Sequence, residues 1–87
     1  MLKIQRSANG EVVFTLIGRM NVENVAELKT LFESEGEGRR IVLDLKDLTL
    51  VDRDAVVFLE RRESDSVKLT NCPAYIREWI TRERKGK

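Results

Sequence analysis

The sequence contains no histidine, a single cysteine and a single proline. Without histidine there is no Ser-His-Asp triad and no Cys/His zinc site. Cys72 on its own leaves no internal disulfide, which suits a reducing compartment. No apolar run is longer than AVVFL at 55–59, far short of the about 20 residues a helix needs to cross a bilayer. The first residues lack the apolar segment of a signal peptide, so the expected location is the cytoplasm, with no membrane insertion. A formal net charge of +1 argues against a dedicated nucleic-acid binder. There is no glycine-rich loop to cradle phosphate and no nucleophile with a partnering base, so the expectation is no catalytic residue, no cofactor and no metal.

What is present points to one small globular unit. The 87 residues are 41% hydrophobic and 36% charged, which reads as a soluble folded chain occupying 1–87 as a single domain. A domain of this size buries only about 60% of its unfolded surface, so its core must be compact. Acidic residues outnumber basic ones before residue 39, and the balance reverses after it. The stretch 81–87 holds Arg82, Arg84, Lys85 and Lys87 and reads as the basic, fraying end of a helix.

Along the chain, LKIQ at 2–5 alternates as a half-buried strand does, and SANG at 7–10 has turn chemistry. Val12, Val13, Phe14, Leu16 and Ile17 make a second strand of a hairpin. Residues 18–21 break that pattern. Asn21 is placed to cap a helix with Val22, Val25, Ala26, Leu28, Leu31 and Phe32 near helical spacing, and Gly36 and Gly38 end it. Residues 40–45 read as a buried strand, and Asp52 caps a second helix with Val56, Val57, Phe58 and Leu59 inward and a solvated stretch at 60–63. Residues 66–70 form a fourth strand. Pro73 then opens a helix on Ala74, Ile76, Trp79 and Ile80, with Tyr75 and Trp79 expected to pack in the core. The order is β-β-α-β-α-β-α: an α/β fold with a four-stranded mixed, mostly parallel sheet and helices mainly on one face.

The most telling stretch runs from Ile41 to Ala55. An apolar run ends at Asp44, a second ends at Asp52, and a helix starts there. With LIGRMN at 16–21, IVLDL at 41–45, LVD at 50–52 and LTNCP at 69–73, in that order, the chain resembles the STAS domain, named for sulfate transporters and anti-sigma factor antagonists. The resemblance covers roughly residues 10–80. In the antagonist branch the Asp at the strand end is followed by Ser-Ser-Gly, and a partner kinase, itself the anti-sigma factor, phosphorylates the second Ser. The resemblance puts Asp52 at the family Asp, Arg53 and Asp54 at the two serines, and Ala55 at the glycine. Asp54 is thus the phosphoacceptor equivalent, and it has no hydroxyl to modify.

The resemblance implies a non-enzymatic protein–protein interaction module of the anti-sigma factor antagonist type, in bacterial-type signal transduction and transcription regulation. The implied partner is an anti-sigma factor kinase. The alternative is a STAS-like regulatory subunit of a membrane transport complex, with a transporter ATPase as partner. The expected contact surface is Asp52, Arg53, Asp54 and Ala55, flanked by Asn21 and Asn71. Helix capping alone gives Asp52 and Asp54 a reason to be acidic, worth about 0.3–1 kcal/mol for a first-turn charge, and it leaves a binding role open. Association with a second copy, through the sheet edge or a helix face, is also open.

Overall fold

The computed structural model describes residues 2–35 and 40–86. Strands β1 (Leu2–Asn9) and β2 (Glu11–Met20) form an antiparallel hairpin whose turn residue, Gly10, has φ 86°. That left-handed conformation is where glycine costs least. Helix α1 spans Val22–Ser34 and is followed by β3 (Ile41–Asp44) and β4 (Leu48–Val51). Helix α2 (Arg53–Ser64), strand β5 (Lys68–Thr70) and helix α3 (Ala74–Lys85) complete the chain. Gly36 and Gly38, expected to end the first helix, lie outside the described residues.

The sheet is mixed and mostly parallel, with order β1-β2-β3-β5 and β4 added beside β2. It therefore has five strands where the sequence suggested four. The ten-residue β2 is the spine. Its first half pairs with β3 (Val12↔Ile41 to Thr15↔Asp44) and its second half with β4 (Gly18↔Leu48 to Met20↔Val51). The second apolar run, to which the sequence pattern assigns no strand, forms β4 after a turn at Lys46 and Asp47, where Leu48 N donates to Leu45 O at 3.1 Å. The expected break at 18–21 is likewise a bulge inside β2: the register with β4 shifts at Gly18, φ 106°, and the strand resumes to Met20.

One face of the sheet carries the core. Val12, Phe14, Leu16 and Leu43 join Val25 and Leu28 of α1, Ala55, Val56, Phe58 and Leu59 of α2, and Ile76 and Ile80 of α3 in one buried cluster. Three phenylalanines bridge the layers: Phe14–Phe32 and Phe32–Phe58 ring centroids are 5.5 and 5.8 Å apart. All three helices thus lie on that face.

One local reading changes and another gains detail. The stretch 60–63 is not simply solvated: Glu60 is buried beneath α3, with Arg84 Nε 3.7 Å from its carboxylate. The basic end of the chain is helical through Lys85, because Arg84 also reaches Glu63 at 2.7 Å and Arg82 pairs with Glu78 at 2.6 Å.

Candidate functional site

The parallel strands β2 and β4 end side by side, and each hands the chain to a helix. After Met20 comes Asn21, whose Oδ1 accepts from Glu23 N at 3.0 Å and Asn24 N at 3.3 Å. Asn24 Oδ1 in turn accepts from Asn21 N at 3.0 Å, closing a capping box. After Val51 comes Asp52, whose Oδ1 accepts from Ala55 N at 2.9 Å. Met20 and Val51 are register partners, and Asp52 N donates to Met20 O at 3.3 Å. The two caps therefore sit together on one corner of the sheet. A shallow hollow of about 250 Å³ lies there, lined by residues 19–21 and 50–52.

The remaining expected residues divide. Arg53 and Asp54 are exposed in the first turn of α2. Arg53 Nε pairs with Glu83 Oε1 of α3 at 3.2 Å, an open pair with the arginine 77% exposed, worth at most about 1 kcal/mol. Ala55 is fully buried in the core, so it cannot be a contact residue: a side chain on the inward side of a first turn faces the sheet. Its small size lets α2 approach. Asn71 adopts φ 54° just past β5, and its Nδ2 donates to Asp44 Oδ1 at 3.2 Å, which also accepts from Lys46 N at 3.1 Å. Asn71 thus closes the β3–β5 corner. The whole of β4 separates that corner from the Asn21–Asp52 pair.

Three features of this end were not anticipated. Val22 and Leu50, each 55% exposed, flank the caps, and Tyr75 is 47% exposed rather than packed in the core. The Tyr75 phenol donates to Thr49 O, so α3 starts against the strand β4 that carries Leu50. A sequence clue existed for Val22: the residue right after a cap begins its helix at the rim, where no core lies below. Cys72 is half-buried, and burial pushes its thiol above the ordinary range, which disfavours the reactive thiolate.

Chemically, the corner offers two side-chain-capped helix N-termini, exposed carboxylates at Glu23 and Asp54, exposed guanidinium groups at Arg19 and Arg53, and apolar side chains beside them. Such a mixture suits contact with another protein's surface.

No protein-family model matches the sequence, and no curated protein matches it. Solved structures do. The chain is similar to the anti-sigma factor antagonist SpoIIAA in its unphosphorylated form, with TM-score 0.64 and 16% identity, over 93% of this chain and 82% of that one. It is also similar to a protein of the DUF3478 family from Shewanella loihica with a SpoIIAA-like fold, with TM-score 0.55 and 19% identity, over 99% of this chain and 77% of that one. The chain has the SpoIIAA-like, STAS-type fold.

Proposed function

We propose that this domain is a non-enzymatic interaction module that works as a divergent anti-sigma factor antagonist, binding a kinase-like protein partner in the cytoplasm. The observation that carries the reading is the SpoIIAA-like fold combined with an exposed Asp54 in the first turn of α2. Docking uses the corner formed by Asn21, Asp52, Arg53 and Asp54, with Val22 and Leu50 supplying apolar contact; Asn71, at the separate β3–β5 corner, takes no part. Asp54 gives that corner a permanent single charge. A phosphoserine would bring about −1.5 to −2 charge and three acceptor oxygens, so the aspartate imitates it only in part.

The test compares wild type with Asp54→Ser and Asp54→Arg for binding to candidate anti-sigma factor kinases by calorimetry, together with a phosphorylation assay. The expected result is that Asp54→Arg loses binding and only Asp54→Ser becomes a kinase substrate. Equal binding by all three forms, with no phosphorylation of any, removes this reading.

A second reading is favoured by the missing hydroxyl at Asp54. A regulatory subunit of a transport complex needs no phosphorylation there, and its partner is a transporter ATPase. Selective co-purification with an ATPase, abolished by Asp54→Arg, distinguishes it. Among the described residues no helix is long and apolar enough to cross a membrane, so such a subunit would meet the membrane through its partner.

A further inference from the structure

Helices α1 and α2 leave a groove of about 310 Å³ between them. On α1 it is lined by Val22, Val25 and Lys29; on α2, by Asp54, Val57 and Phe58, then Arg61 and Arg62. These positions recur at the three- and four-residue spacing that places side chains on one helical face, so both helices present a stripe to the groove. Val25 and Phe58 are buried and make an apolar floor. Both helices begin at the same corner of the sheet, so the groove has a direction. Asp54 stands at the near end, and Lys29, Arg61 and Arg62 stand further along.

The charges at the far end are in part unanswered. Among the described residues neither Lys29 nor Arg61 has an ion-pair partner. Arg62 lies over the Phe58 ring at 5.6 Å and reaches Asp65 at 3.1 Å, yet its Nε is buried with no hydrogen-bond partner. Cations in the last turn of α2 offset its dipole, which accounts for Arg61 and Arg62. That explanation does not reach Lys29, which is in the middle of α1.

We propose that this groove seats an amphipathic segment of the partner protein, with apolar side chains on the Val25–Phe58 floor, carboxylates against Lys29, Arg61 and Arg62, and a basic residue facing Asp54. The proposal rests on the domain being an interaction module and specifies what its partner must carry.

The full chain, isotope-labelled, is titrated with two synthetic ten-residue peptides of the same composition. One carries two lysines, a pair of leucines and two glutamates in that order; the other exchanges the lysines and glutamates. The first should produce saturable amide shifts at Val25, Lys29, Val57, Phe58 and Arg61. Binding should weaken by roughly tenfold for the exchanged peptide and for the double variant Lys29→Glu/Arg61→Glu, since two rim pairs are reversed. Both altered residues are exposed, and circular dichroism checks that the variant stays folded. Equal binding of the two peptides, shifts that map elsewhere, or no saturable shift overturns the proposal. So does self-association of the chain that the double variant abolishes, which makes a second copy the occupant. Asp54-dependent capture of a kinase or ATPase that persists while the peptides fail removes only the groove; loss of both removes the docking reading itself.

Discussion

Helix α2 has two flanks, and they are built differently. Toward α3 its charges are answered within the chain. Arg77 donates two hydrogen bonds of 2.8 Å to Glu63, Arg84 adds one of 2.7 Å, and Leu59, Ile76 and Ile80 are fully buried at that seam. The Arg77 guanidinium, with help from Arg84, holds the Glu63 carboxyl below its ordinary range against the opposing effect of burial. Toward α1 the same helix leaves Arg61 without an ion-pair partner among the described residues, Val57 half-buried and Asp54 at the open end. A flank whose charges are neutralised internally holds the fold together. A flank with apolar floor and unanswered charge has capacity for something else.

The strongest way to break this contrast is truncation. Leu59→Ala on the closed flank should cost about 2–5 kcal/mol in urea unfolding, the range for a fully buried leucine. Val57→Ala on the open flank should cost less than about 1 kcal/mol, because much of its surface is already in water. Equal losses would show that both flanks are core. Next, Glu63→Gln should cost about 1–2 kcal/mol, since two arginines lose a charged acceptor at a partly solvated site. This contribution depends on pH with a definite sign. The folded pKa lies below the ordinary 4.5, so the stabilisation is present above that value and is lost as pH falls through the depressed folded one. Between pH 4.5 and the depressed folded value, the stability of Glu63→Gln should therefore fall less steeply than that of wild type; superimposable profiles would contradict the Arg77 contact. Asp52→Ala should cost about 1 kcal/mol by removing the α2 cap, while Asp52→Asn keeps most of it. The smallest effects belong to the open flank: Arg61→Gln and Asp54→Ser should each cost about 0.3–1 kcal/mol, the size of one exposed charge at a helix end.

Much of this arrangement is legible in the sequence, for reasons that can be named residue by residue. Asn21 and Asp52 announce their caps because short acceptors just before apolar helical spacing have few other uses. The buried strand at Ile41–Asp44 and the helix faces follow from hydrophobic periodicity. Local pattern cannot show that the stretch after Asp44 starts a separate strand, because β4 is defined by pairing with the second half of β2, some thirty residues away. The same limit hides the burial of Glu60, which α3 covers from a distant part of the chain. At the candidate corner, the types of Asp52, Arg53 and Asp54 are readable, whereas the inward turn of Ala55 and the exposure of Val22, Leu50 and Tyr75 depend on tertiary placement.

The bond from Asp52 N to Met20 O joins the two helix starts through neighbouring strands. The first turns of α1 and α2 are thereby yoked to one rigid footing and cannot be tilted independently. Any molecule that levers on one of them must either shift both, with the groove between them keeping its width, or tear the end of the sheet.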